Sequence, residues 1–472
     1  MICRLAAFVT LLLSSSFVFA APAERLNIVL FLADDLGWAD VGCYGADLHE
    51  TPHLDRLARQ SLRFTQAYAG SSVCTPTRAA LMTGKHPARL GMTIWAEAAK
   101  DPPPPKRLVP PPAEHNLSRS ETTVASYLSK AGYLTAIVGK WHLGDALHYP
   151  ETHGFDVNIG GTLWGAPHTH FYPYRGGGRF GREYRYVPHL EFGQPGEYLT
   201  DRLTDEALQV IDRAGDRPFF LYLAHHAVHT PIEAKAADVA YFEEKLTPSF
   251  KHQNAAYAAM VRSLDESVGR VLQRLDERGL TERTLFIFTS DNGGFIGRER
   301  AGAGPVTNNY PVRSGKGALY EGGVRVPLMV RWPGVTSARG ESAQPVVSED
   351  LFFTILEAAG IKPAPDVPAD GLSLVPILKD PSQHLPREAL YFHYPHYYHT
   401  TTPVSSVRAG DWKLLEFYED GHRELYNLAD DLGEQHDLAQ QQPERTRMLA
   451  AQLAAWQKEV GARLPRPAAG KP

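Results

Sequence analysis

The chain has 472 residues, 43 % of them hydrophobic, and a formal net charge of −5. That length suits one large domain with an appendage, and the apolar share is ordinary for a globular fold. The negative balance argues against a general nucleic-acid binder, so an anionic ligand would have to be held by local cationic groups.

Arg4, the apolar run Leu5 to Phe19 and the small-residue pattern Val18-Phe19-Ala20 read as an export signal, residues 1–20, cleaved near Ala20. The run is short for a membrane span, and no later segment is apolar enough to cross a bilayer. A soluble periplasmic or secreted mature protein, without integral membrane association, is expected. Of the three cysteines, Cys3 would leave with the signal. Cys43 and Cys74 are too few for a disulfide framework, although a single Cys43–Cys74 bridge or two small buried side chains would be compatible with the spacing. A reactive thiol is a liability in an oxidising compartment, so chemistry at Cys74 is expected to need something other than a thiol.

Short, nearly continuous apolar runs predict strands near Ile28–Ala33, Thr135–Val138, Phe219–Ala224, Leu285–Thr289 and Pro327–Arg331, each covered on both faces. Helical patterns alternate with them. The clearest runs from about Asn254 to Arg278, with Tyr257, Val261, Leu264, Val268, Val271 and Leu275 on one face and Gly279 as terminator. Alternation of this kind implies an α/β fold with a mainly parallel sheet, and function is expected beyond the carboxyl ends of its strands. Four of the five strands deliver Asp, Asn, His or Lys at that end. A proline-rich stretch, KDPPPPKRLVPPPAEHN, and a glycine- and aromatic-rich one, GGTLWGAPHTHFYPYRGGGRFGREYRY, read as loops over the site. After about residue 380 short strands, a hairpin turn at Glu419–Gly421 and a last helix near Pro443–Glu459 predict a smaller antiparallel α+β subdomain, 381–472, beside a catalytic domain, 21–380.

The motif Cys74-Thr75-Pro76-Thr77-Arg78, followed by LMTGKH, resembles the signature of the type I sulfatases of the alkaline phosphatase superfamily. GKWHLG (Gly139–Gly144) is similar to the second signature of that family, and LADDLGWADVGCYG, SDNGG, GKGALYEGGVRVPLMVRWPG and the tail GDWKLLEFYEDGHRELYNL extend the likeness over most of the chain. The family usually has serine where Thr77 stands; the Cys-x-Pro-x-Arg core is intact. The resemblance implies an alkaline phosphatase-like fold, a large mainly parallel mixed sheet sandwiched by helices. It also implies oxidation of Cys74 to formylglycine by a formylglycine-generating enzyme acting transiently on the unfolded chain. The aldehyde hydrates to a diol, which explains a cysteine at this position. Pro76 suits a first helical turn, placing Cys74 at the positive end of a helix dipole.

Asp34 and Asp35 follow the first strand, and Asp291 and Asn292 follow the fourth. Asp and Asn cap helices and form turns elsewhere, but two pairs at strand ends together with the resemblance make a hard-oxygen metal site with residue 74, for Ca²⁺ ahead of Mg²⁺. Three carboxylates against a dication leave −1; Arg78, Lys140 and Lys316 bring the pocket to +2, suited to a sulfate monoester. The resemblance further implies roles. Arg78 and the metal polarise the diol, which attacks sulfur; His229 and Lys316 protonate the departing oxygen; His142 then takes the proton of the second hydroxyl as sulfate is expelled. Candidates for sugar recognition are Trp164, His168, His170, Arg313, His393, His396 and His399. The expected substrate is a sulfated galactose or N-acetylgalactosamine unit of a polysaccharide or glycosaminoglycan. A phosphodiesterase or phosphonate monoester hydrolase of the same superfamily, and a sulfated-glycan-binding protein whose Cys74 is never matured, are the alternatives. The sequence does not indicate an oligomeric state.

Overall fold

The computed structural model describes residues 25–300, 302–365, 367–368 and 370–468, so the export-signal reading lies outside the described residues. Nine strands make the central sheet: β1 (Asn27–Ala33), β2 (Leu62–Tyr68), β3 (Leu134–Gly139), β4 (Val157–Ile159), β5 (Phe219–Ala224), β6 (Thr284–Ser290), β7 (Arg325–Arg331), β8 (Gly340–Ser342) and β9 (Val346–Val347). Their order is β8-β2-β7-β6-β1-β5-β3-β4, with β9 also beside β2. The run from β6 to β4 is parallel throughout. β7 is antiparallel to both its neighbours, β2 and β6.

The apolar runs form central strands because they can bury both faces. Along β1, Val29, Phe31 and Ala33 enter one core, while Ile28, Leu30 and Leu32 enter the other. The first core lies under the helices Leu199–Ala214 and Ala255–Glu277. The second lies under Cys74–Thr83, Val124–Lys130 and Glu349–Ala358. In the long helix the six residues read as its apolar face are all buried, and each contributes roughly 1.5–3 kcal/mol of apolar transfer. Asn254 caps it by accepting from Tyr257 N at 3.1 Å, as short polar side chains do at helix starts.

Two expectations are corrected. The strand near Pro327–Arg331 exists, but it runs against its neighbours, so its start rather than its end faces the site. β2 was not legible, because Arg63, Thr65 and Gln66, all half-buried, interrupt its apolar run. The Cys43–Cys74 bridge does not form; both thiols are free.

A second, four-stranded antiparallel sheet runs in chain order through Leu390–Tyr394, Val404–Ala409, Trp412–Phe417 and Arg423–Asn427. The helix Pro443–Val460 covers one face with Leu449, Leu453 and Trp456. The other face packs on Tyr68, Val73 and Val324 of the large sheet's surroundings. A buried ion-pair group and an arginine's hydrogen bonds weld the seam: Lys413 Nζ lies 2.8 Å from Glu321 and 3.0 Å from Glu434, all fully buried, and Arg408 donates to the Tyr68 hydroxyl and the Gln66 side-chain oxygen. Among the described residues no helix is long and apolar enough to cross a membrane.

Candidate active site

The carboxyl ends of β1, β3, β5 and β6 meet the start of the helix Cys74–Thr83. That helix is buried along its whole length, with Val73 as N-cap and Cys74 as its first residue. Thr77 locks the approach: its hydroxyl accepts from Ser71 N at 3.0 Å and donates to Ser71 O at 3.2 Å. Threonine therefore makes the hydroxyl bonds that a serine here would make.

Arg78, one turn on, is pointed inward and wholly buried. Its Nε and a terminal nitrogen each lie 2.8 Å from Asp291 Oδ2, and its other terminal nitrogen donates to Lys140 O at 2.8 Å. The guanidinium thus ties together the ends of β3 and β6. Burial opposes its charge, but Asp291 more than offsets this and holds it protonated.

Asp34, Asp35, Asp291 and Asn292 converge and are all buried. Lys140 Nζ donates to Asp34 Oδ2 at 2.7 Å. Asp35 Oδ1 accepts from Asn292 Nδ2 at 2.8 Å, and Lys316 Nζ lies 2.8 and 2.9 Å from the two Asp35 oxygens. Asp291 Oδ1 accepts from the Asp35 backbone at 3.1 Å. Asp35 and His142 both hold φ near 60°, a left-handed conformation that costs non-glycine residues energy and collects at functional sites. Gly139 is required where it stands: at φ +106° a Cβ would lie 2.0 Å from Ala224 O. That approach lets Lys140 N donate to Ala224 O at 2.7 Å, which aims Lys140 at Asp34.

Two oxygens in this cluster, Asp34 Oδ1 and Asn292 Oδ1, are buried without a hydrogen-bond partner. Burial pushes the Asp34 carboxyl well up despite Lys140. Burial also works against the Asp35 charge, but Lys316 and His229 overcome it and hold that carboxyl low. Orphaned oxygens amid carboxylates are costly unless a cation meets them. Asp34, Asp35 and His229 also offer ligand atoms within 4.8 Å of one another. The all-oxygen set of Asp34, Asp35, Asp291 and Asn292 fits a hard divalent ion.

Above the cluster lies a cavity of about 200 Å³ lined by Cys74, Trp95, Glu97, His142, Gly165, Ala166, Phe180, Arg185, His229, Lys316 and Tyr398. Burial works against a thiolate at Cys74, yet Lys140, His142 and Lys316 overcome it and bring the group down to about 6. The floor of the cavity is therefore electropositive at residue 74. His142 Nε2 meets Glu97 Oε2 at 2.6 Å. Burial disfavours the imidazolium, but Glu97 and then Cys74 raise it above the usual histidine range. His229 behaves oppositely: burial, then Lys316, hold it well below. Its Nδ1 donates to Thr230 O at 2.7 Å, leaving Nε2 to accept from Lys316 Nζ at 3.1 Å.

Cys74, Arg78, Lys140, His142, His229 and Lys316, and all four strand-end ligands, thus come together around position 74. None of the seven sugar candidates lines the cavity. Trp164 stacks beneath Arg185, 5.2 Å from its guanidinium. His170 donates to His229 O at 3.2 Å, supporting that loop from behind. His168 packs against the backbone of Gly176, and His399 is exposed, edge-on to Phe295. Arg313 donates to Tyr426 and Glu434 O. His393 bonds Ser405 and Arg463 O, and His396 bonds Thr93; both are buried in the packing of the small sheet. Glu97, Arg185 and Tyr398 went unnoticed in the sequence, because nothing in AEAAK, REYR or HYYH marks them apart from surface charge or core aromatics. The glycine- and aromatic-rich loop does reach the cavity through Gly165, Ala166, Phe180 and Arg185. The proline-rich run does not line it.

A mixed, mostly parallel sheet between helix layers, with a buried oxygen cluster at its strand ends and an appended antiparallel sheet, is the architecture of the alkaline phosphatase-like hydrolases. The sulfatase family model matches residues 26–361, and the model of the C-terminal region of N-sulphoglucosamine sulphohydrolase matches 314–459. The chain belongs to the sulfatase family. It is 36 % identical to human N-acetylgalactosamine-6-sulfatase over 75 % of its own length, and spans 65 % of that protein. A sulfatase of Formosa agariphila is 34 % identical, with 94 % of this chain and 91 % of that one covered. The crystal structure of Ps i-CgsB in complex with k-i-k-neocarrahexaose superposes with a TM-score of 0.77 at 29 % identity, covering 92 % of this chain and 93 % of that one.

Proposed function

We propose that this chain is an exported sulfatase that hydrolyses sulfate monoesters on sulfated galactose or N-acetylgalactosamine units of polysaccharides or glycosaminoglycans. The observation that carries the reading is the electropositive cavity floor. Residue 74 opens a buried helix beside Lys140, His142 and Lys316, near a carboxylate and an amide with orphaned oxygens, Asp34 Oδ1 and Asn292 Oδ1. A cavity so built attracts an oxyanion and the charge that grows on it in the transition state. The names of the relatives, N-acetylgalactosamine-6-sulfatase and a carrageenan-derived complex, support the sugar class. The N-terminal pattern supports export, and a division near residue 380 completes the domain reading.

Asp34, Asp35, Asp291 and Asn292 would hold the ion, Ca²⁺ by their donor type, which with formylglycine at residue 74 supplies an activated oxygen nucleophile. The side chains divide the other tasks. Arg78 holds Asp291 and the start of the helix in register. Lys140 neutralises Asp34 and turns positive charge toward residue 74. Lys316 holds the proton for the departing alcohol oxygen, and His229, accepting through Nε2, orients that ammonium group rather than donating itself. His142 receives the proton from residue 74, with Glu97 stabilising the imidazolium that results.

Turnover of an aryl sulfate against an aryl phosphodiester by the matured protein tests the reaction class, and defined sulfated mono- and disaccharides test the sugar. Sulfate turnover is expected to exceed phosphodiester turnover; a phosphodiester preference by orders of magnitude overturns the proposal. A peptide retaining the Cys74 thiol, in a protein that binds sulfated glycan without hydrolysis, assigns binding instead of catalysis.

A further inference from the structure

A second cluster of ligating side chains lies behind the oxygen site and has no part in the reaction above. Asp40 ends the short turn Trp38–Asp40, His49 lies in the following loop, and His252 precedes the cap of the long helix. All three are buried, and each offers a ligand atom within 4.8 Å of the other two. The two imidazole rings lie 4.3 Å apart.

The hydrogen bonds around the cluster prepare nitrogen lone pairs. His252 Nδ1 meets Asp47 Oδ1 at 2.6 Å, and Asp47 also accepts from the His252 and Lys251 backbones. A carboxylate on the far nitrogen is how metal-binding histidines are held and made more basic. His49 Nδ1 donates to Asp40 O at 2.9 Å. Asp40 is held in place by hydrogen bonds: Oδ2 accepts from Gly37 N and Tyr257 Oη, both at 2.7 Å, and Oδ1 from Thr307 at 2.6 Å.

The plain alternative is an ion pair between a protonated His252 and Asp40. That pairing would put a hydrogen bond on Nε2. His252 Nε2, in a residue only 3 % exposed, stands at ion-pair distance, 3.3 Å from Asp40 Oδ1, but is not aligned for a hydrogen bond to it. Two ligands at about 2.0–2.1 Å on a tetrahedral ion are separated by roughly 3.3 Å. The spacing fits shared coordination of one ion, and the missing alignment favours it over a hydrogen-bonded pair.

We infer that Asp40, His49 and His252 form a second metal site, for zinc or a similar borderline divalent ion. Two imidazoles and one carboxylate select that class, whereas the strand-end cluster selects a hard ion. The site fastens the loop after β1 to the start of the long helix. Tyr257 carries the connection onward, since its hydroxyl contacts both Asp40 and the backbone oxygen of Asp35. The assignment stands whether or not the chain is a sulfatase.

Cobalt substitution tests it. Protein prepared without a polyhistidine tag, stripped by chelator and titrated with Co²⁺, is expected to develop the strong visible bands of a tetrahedral ion at one equivalent, bleached by Zn²⁺. His252→Gln and His49→Gln should each abolish those bands while retaining the far-UV circular dichroism of the metal-free parent. If His252→Gln does not fold, His49→Gln carries the test, because that ring makes no ion pair shorter than 3.8 Å. Absence of the bands in the parent, or their persistence in a folded variant, overturns the inference.

Discussion

Replacing Lys413 with methionine removes a cation that touches both Glu321 and Glu434 at the seam of the two sheets. The three groups are fully buried, at 2.8 and 3.0 Å, so solvent does not screen the loss. Removing one partner of a buried ion pair costs about 3–5 kcal/mol, because the charge left behind is uncompensated. The residual charges set where in that range the variant falls. Burial works against Glu321, but Lys413, Arg325 and Arg408 hold it to about 2. In the variant Arg325, at 3.1 Å, still supports it. Burial raises Glu434 to about 7 despite Lys413. Near pH 5 Glu434 is protonated with or without the lysine, so only Glu321 is stranded. Near pH 8 the parent carries a charged Glu434 that the variant must keep protonated, so the penalty grows with pH. With an unfolding entropy of about 2.1 cal/mol/K per residue over 472 residues, or about 1 kcal/mol/K, Tm should fall by about 3 °C near pH 5 and about 5 °C near pH 8. Differential scanning calorimetry of parent and variant at the two pH values measures this. A variant within about 1 °C of the parent at both, or a gap that narrows as pH rises, refutes the reasoning.

Cys74→Ala should abolish turnover while costing at most about 1 kcal/mol of stability, checked by aryl sulfate assay and melting curve; retained activity rules out residue 74 as the nucleophile. Glu97→Gln should lower kcat about ten- to a hundredfold with KM little changed, as part of the 10²–10⁴ a positioned general base contributes; steady-state kinetics with unchanged kcat would remove Glu97 from the proton path. Burial raises Glu349 from 4.5 to about 8, and both its oxygens lack partners. Because the folded value is the higher one, its stabilising effect is full below pH 4.5 and lost as pH rises through 8. Glu349→Gln should therefore melt with the parent near pH 5 and be more stable near pH 9 by on the order of a few kcal/mol; parallel melting profiles across that range would contradict the buried-carboxyl account.

The sequence by itself determined which segments could be central strands, since a run such as IVLFLA has no polar side chain to leave in water and must be covered on both faces. It determined the long amphipathic helix and the residue types at strand ends for the same reason: periodicity and chemistry are local. It also sufficed to bring Cys74, Arg78, Lys140, His142, His229 and Lys316 under suspicion together. Only the tertiary structure decided the rest. The direction of β7 depends on which neighbour it pairs with, and β2 is a strand because β7, β8 and β9 complete its ladders. Glu97 matters because a helix more than forty positions upstream sets its carboxylate on the His142 ring, and Arg185 because a loop folds it over Phe180. His393 and His396, which read as sugar contacts, turn inward because the small sheet needs their hydrogen bonds in its packing. Contacts between residues distant in sequence depend on where the whole backbone goes, and no local pattern encodes that.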